Sequence, residues 1–149
     1  MSTDSSAATP PNDALGYLLK HAALRLATLT DASLTPLGID SKDLGAIRVL
    51  ARREPTSQLQ VAQTLGIDRT TMVALLDALE RQGLVTRQPD PDDRRRNLVE
   101  LTNVGTETYE AGEAIRKAVE AEFLTPLDQG DGEQLRDALR ALMAAPDAH

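Results

Sequence analysis

The segment from Thr56 to Gly83, TSQLQVAQTLGIDRTTMVALLDALERQG, holds two helical periods separated by only a few residues. In the first, Thr56 or Ser57 can cap, Leu59, Ala62 and Leu65 can face inward, and Gly66 ends the unit with left-handed backbone. In the second, Asp68 caps, Met72, Leu75, Leu76 and Leu79 form one apolar stripe at helical spacing, and Gly83 terminates. So short a link makes the helices cross rather than lie side by side, which is the helix-turn-helix arrangement.

After Gly83 the period changes. Leu84 to Gln88 and Asn97 to Thr102 read as short extended runs, with Val99 and Leu101 alternating against Glu100, and the intervening PDPDDRRR is rich in turn residues. The spacing predicts a β-hairpin directly behind the second helix, a wing. Upstream, Leu15, Leu18, Leu19, Ala22, Leu26 and Leu29 form one stripe that ends at Pro36 and Gly38. Asp40 or Ser41 then caps a helix bearing Leu44, Ile47, Leu50 and Ala51, which Glu54-Pro55 stops. Downstream, Thr102 caps a long helix with Ala111, Ile115, Val119 and Phe123 on one face as far as Pro126. Asp131 with Gln134 is a capping box for a last helix carrying Leu135, Ala138, Leu139 and Leu142.

The fold class expected is mainly α with a small β-hairpin wing: a winged helix-turn-helix flanked by N- and C-terminal dimerisation helices. Residues 1–12, rich in Ser, Thr, Ala and Pro, form a mobile tail; 13–40 and 103–145 form the helical dimerisation region; 41–102 form the winged module. The flanking helices carry more apolar surface than that module can cover, and a second copy of the chain is the obvious cover.

Composition closes other routes. The chain has no cysteine, which excludes a disulfide framework, a thiolate metal site, a cysteine nucleophile and a thiol redox sensor. Its two histidines, His21 and His149, do not make a metal centre, and no cofactor is expected. No segment reaches the ~18 to 20 apolar residues of a membrane span, and the start lacks the order of a signal peptide, so a soluble cytoplasmic protein without a membrane partner is expected. With no glycine-rich phosphate loop and no partner residues for His21, the chain does not read as an enzyme.

Sixteen basic side chains against 23 acidic ones give a net charge of −7, which taken whole argues against nucleic acid. The charge is divided, however. Residues 48–96 hold nine arginines against seven acids, and the remainder is strongly acidic. Arginine is therefore concentrated in the helix-turn-helix and wing.

The run QLQVAQTLGIDRTTMVALLDALERQGLVTRQPDPDDRRRNLVELTNVG, from Gln58 to Gly105, resembles the winged helix-turn-helix of the MarR family of bacterial transcriptional regulators. The helix pair ending LERQGLVTR, the wing DPDDRRRNLVELT and the following LTNVG carry the likeness, which extends over roughly residues 13–145. The resemblance implies a homodimer that binds a pseudo-palindromic double-stranded DNA operator, in most members as a repressor that a small-molecule effector releases. Bound to DNA, such a protein is nucleoid-associated.

The residues suit that role. Arg69, Thr70 and Thr71 stand at the N-terminal end of the second helix, which a helix-turn-helix presents to base edges in the major groove. Thr56, Ser57 and Gln58 open the preceding helix, whose free N–H groups suit a phosphate. In the wing, Asp93, Arg94 and Arg95 match the family's Asp-Arg-Arg element. The resemblance implies that Arg94 braces the loop while Arg95 enters the minor groove, with Arg96 a further candidate. Ala74 stands where many relatives carry a larger polar group, and Val73 and Ala78 are uncharged, so base readout rests on few side chains. In the family the effector lies between the winged module and the dimerisation helices, which makes Tyr17, His21, Arg48 and Tyr109 the ligand-binding candidates. The competing function class is a winged module for protein contact, its arginines serving that interface, without sequence-specific DNA binding.

Overall fold

The structure, a computed structural model, describes residues 12–52 and 54–146. The expected N-terminal tail, except Asn12, lies outside the described residues, as does His149.

Helix α1 spans Leu15–Leu34 and passes through a 3-10 turn at Thr35–Leu37 to Gly38, whose φ of 75° lets the chain reverse. Helix α2, Ser41–Leu50, begins at a reciprocal cap: Asp40 Oδ1 accepts the Asp43 N–H at 2.9 Å and Asp43 Oδ2 accepts the Asp40 N–H at 3.0 Å. It ends at Leu50, before the expected stop at Pro55. Strand β1, Thr56–Ser57, leads into α3, Gln58–Leu65, with Ser57 as cap and Gln60 closing the box. Helix α4, Arg69–Arg81, starts at Asp68, whose Oδ1 accepts the Thr71 N–H at 2.7 Å. Strands β2, Val85–Pro89, and β3, Asn97–Leu101, form the expected hairpin. The sheet has a third strand that was not foreseen: β1 pairs antiparallel with β3, Thr56 opposite Val99 and Ser57 opposite Leu98. Helices α5, Asn103–Phe123, and α6, Asp131–Ala144, complete the described chain.

The core gathers Leu34, Leu44, Ile47, Val61, Leu76, Leu79, Val85 and Val99, all fully buried, from six elements around the helix-turn-helix. Each such side chain contributes about 1.5–3 kcal/mol relative to exposure. Leu15, Leu18, Leu19 and Leu24 of α1 and Leu135, Leu139, Leu142 and Met143 of α6 stay exposed. Leu19, Ala22 and Leu26 of α1 face Phe123, Leu124, Leu135 and Leu139 across an apolar recess of about 440 Å³.

Three local expectations are corrected. Leu59 is 61% exposed and Val61 takes its inward place. On α5, Ala111 is exposed and Gly112 is buried against Leu44, whose Cδ1 would lie 2.7 Å from a Cβ at position 112. The capping box at Asp131 and Gln134 does not form: Asp131 is already helical, and Gly130, at φ 95°, occupies the cap without a side-chain bond.

The LT-x-x-G element has a physical reading. Thr102 Oγ1 donates to the Gly83 carbonyl at 2.6 Å and accepts the Gly105 N–H at 2.9 Å, while its own N–H donates to the Leu84 carbonyl at 3.0 Å. A Cβ on residue 105 would stand 2.1 Å from that same Leu84 oxygen, so only glycine lets α5 start there.

Candidate nucleic-acid interface

Two helix starts and the base of the wing meet in one cleft. Ser57, Gln58, Leu59, Ala62 and Gln63 of the α3 region, Arg69 and Met72 of α4, and Arg95, Arg96 and Asn97 of the wing line it together with Gly66 and Ile67. Its volume is about 440 Å³, and its lining holds three arginines and no carboxylate. A protein of net charge −7 thus has a concave site lined by guanidinium and amide donors, two of its arginines paired with Asp93 beside it. Such a surface attracts a polyanion by charge and offers it hydrogen-bond donors.

Of the nine residues expected to meet DNA, Ser57, Gln58, Arg69, Arg95 and Arg96 line the cleft. Thr70 is exposed in the first turn of α4, and Thr71 lines a neighbouring recess with Ala74, Leu75 and the start of α2. Thr56 is turned aside, its hydroxyl donating to the Glu54 carbonyl at 3.0 Å. The Thr71 N–H, bonded to Asp68, holds that carboxyl below its ordinary value, so the cap stays charged at neutral pH.

The wing tip is tied by its own acids. Asp93 Oδ1 accepts the Arg95 N–H at 3.1 Å and Arg95 Nε at 3.2 Å, and Asp93 Oδ2 lies 3.7 Å from Arg96 Nε. The bond from the Arg95 N–H is the largest of the influences that lower the Asp93 pKa. The brace is therefore formed by Arg95 and Arg96, and among the described residues the Arg94 side chain has no hydrogen-bonded or ionic partner. The backbone explains the change: Asp93 accepts from the residue two positions on, which turns the Arg95 side chain back to the same oxygen. That guanidinium is nonetheless 91% exposed.

Sequence reasoning missed Gln63, Asn97 and, behind the cleft, Arg87. Arg87 Nη2 donates to Asp77 Oδ1 at 2.5 Å and Glu80 Oε1 at 2.7 Å, while Nη1 donates to Gln58 Oε1 at 3.2 Å. A signal existed, since Arg87 has the inward parity of Val85 on a strand that follows a helix bearing Asp77 and Glu80 three apart.

The four ligand-binding candidates do not converge. Tyr17 and His21 stack on each other along exposed α1, ring centroids 3.9 Å apart. Arg48 is engaged by Glu113 at 2.8 Å. Tyr109 lines a cavity of about 320 Å³ with Leu50, Ala51, Glu54, Glu100, Leu101, Thr106 and Glu110, a lining that includes none of the other three.

Comparison with known proteins places this geometry. The sequence profile of the MarR family matches residues 37–96. A probable transcriptional regulator from Pseudomonas aeruginosa is 30% identical, with 89% of this chain and 99% of that one covered and a TM-score of 0.82. The chain belongs to the MarR family. Also similar is a MarR-family transcriptional regulator from Rhodococcus sp. RHA1, 28% identical over 91% of this chain and 96% of that one, TM-score 0.82. The transcriptional repressor CouR, solved on a 23-mer DNA duplex, is 30% identical over 88% of this chain and 93% of that one, again with a TM-score of 0.82. MarR-family proteins are transcriptional regulators, not enzymes. Among the described residues, no helix is long and apolar enough to cross a membrane.

Proposed function

We propose that this MarR-family chain acts as a homodimeric repressor that binds a pseudo-palindromic operator. The N-terminal end of α4 enters the major groove, the wing enters the minor groove, and the start of α3 holds phosphate. The observation that carries this reading is the carboxylate-free cleft on which Arg69, Arg95, Arg96, Ser57 and Gln58 converge in an otherwise acidic chain. Arg69, Thr70 and Thr71 read bases, and Ser57 and Gln58 lie along the phosphates, with the Thr56 hydroxyl turned aside. Arg95, the most outward part of the wing brace, reaches the minor groove, while Arg94 and Arg96 meet the flanking backbone.

Residues 41–102 form the DNA-binding region, and 13–40 with 103–145 pair the subunits. The exposed leucines of α1 and α6 support this division. A small effector acts from the region around Tyr109, which lines a cavity between β3, α2 and α5.

Incubation with a randomised duplex pool tests the reading. A pseudo-palindromic sequence should be enriched and bound in a saturable, competitor-resistant and salt-sensitive manner. Enrichment of no sequence would leave a winged module used for protein contact.

A further inference from the structure

We propose that Arg87 is a positioning residue for DNA binding: it fixes the Gln58 side chain so that the amide presents only N–H donors to a phosphodiester oxygen in the cleft. The inference rests on the reading of that cleft as a DNA site.

Arg87 lies on β2 with its side chain 19% exposed, wedged between α4 and the start of α3. A guanidinium carries donors and no acceptor. The Gln58 atom 3.2 Å from Nη1 must therefore be the amide oxygen, which settles the orientation of an amide whose two ends otherwise look alike. With the oxygen turned to Arg87, the NH2 group is what Gln58 offers a ligand in the cleft it lines. Phosphate oxygens only accept, so the fixed amide is matched to them.

At its other end the guanidinium is anchored by Asp77 and Glu80 of α4. The bond to Glu80 is the largest influence raising the Arg87 pKa, so the group stays charged. One side chain thus ties α4, the wing strand and the first residue of α3. Lysine, a single point charge, does not reproduce a fork shared among three acceptors.

The probe is the duplex that the wild-type protein enriches from the randomised pool. Its affinity is measured at fixed salt for wild type, Q58L, R87K, R87M and the double variants of each Arg87 change with Q58L, with melting temperature and dimer state recorded. Q58L should weaken binding by about tenfold for each protomer engaged, the size of a lost hydrogen bond to a charged group. In the R87K and R87M backgrounds the same change should cost little, because an unheld Gln58 no longer contributes. Q58E keeps a partner for Arg87 but offers no donor, and should bind more weakly than Q58L. R87K retains positive charge beside Asp77 and Glu80, so it supplies the cycle if R87M melts too low to assay. Additive losses, or a Q58L protein that binds like wild type, would overturn the positioning role while leaving DNA binding intact. Absence of any enriched duplex would instead remove the underlying reading, and this inference with it.

Discussion

Replacing Gly105 by alanine tests the close approach of helix α5 to the Leu84 carbonyl. A Cβ there would lie 2.1 Å from the Leu84 carbonyl oxygen, against a floor of 3.0 Å for real Cβ contacts, so helix α5 or the Gly83–Leu84 turn must retreat by about 0.9 Å. The obstacle is backbone and cannot swing away. Overpacking of this kind costs ~1–3 kcal/mol. The movement also strains the 3.0 Å bond from the Thr102 N–H to the same oxygen, worth ~1 kcal/mol. Alanine's better helix propensity returns ~1 kcal/mol. The net expectation is a loss of about 2 kcal/mol. Urea unfolding followed by circular dichroism at fixed protomer concentration measures it. Gly45→Ala is the control, since its Cβ would meet Leu65 Cδ2 at an ordinary 3.6 Å in the middle of α2, and it should gain up to ~1 kcal/mol. A Gly105→Ala protein with an unchanged or higher midpoint would refute the close approach and the reading of LT-x-x-G built on it.

Glu113 sits between Arg48 and Arg116; burial pushes its carboxyl upward, but the bonds from Arg116 and Arg48 outweigh that and leave it below its ordinary value of 4.5. Its contribution is therefore complete above pH 4.5 and fades as pH falls through the folded-state value, so Glu113→Gln should lower stability at pH 7 and flatten the acid limb of the stability profile. An acid limb identical to wild type would count against the pairing. Leu139→Arg puts charge into the apolar recess between α1 and α6 and should shift the proposed dimer toward monomer in sedimentation; an unperturbed dimer would move the subunit interface elsewhere. Arg95→Ala should weaken operator binding without altering melting temperature, and unchanged affinity would remove Arg95 from the minor groove.

What the sequence made legible is short in range. Asp68 and Thr102 announce their caps, and Thr56 or Ser57 the cap of α3, because donor and acceptor lie within three residues, and the apolar stripe of α4 is long enough for its period to be unambiguous. Helix α3 has eight residues, too few for periodicity to choose between Leu59 and Val61; the partner it packs on decides. Gly112 is silent in the sequence because burial by close approach leaves no hydrophobic signature. The two-residue β1 exists only through its pairing with β3, some 40 residues away, and no local pattern encodes it. The cleft was legible in its residue types but not in its membership: Arg69 and Arg95 were expected, while Arg87 works from behind through an amide. Position along the chain, on which the effector candidates rest, says little about convergence in space: Tyr17 and His21 stack on each other, and neither lines the cavity of Tyr109.

The pairing of Ser57 with Leu98 joins the cap of α3 directly to the returning strand of the wing. If the cleft holds DNA as proposed, the protein carries a fixed calliper whose one jaw rests on the phosphates and whose other reaches the adjacent minor groove. A calliper measures helical twist and groove width rather than base identity. Sequence selection would then come partly from how cheaply a given duplex can be wound to fit, at base pairs that no side chain touches.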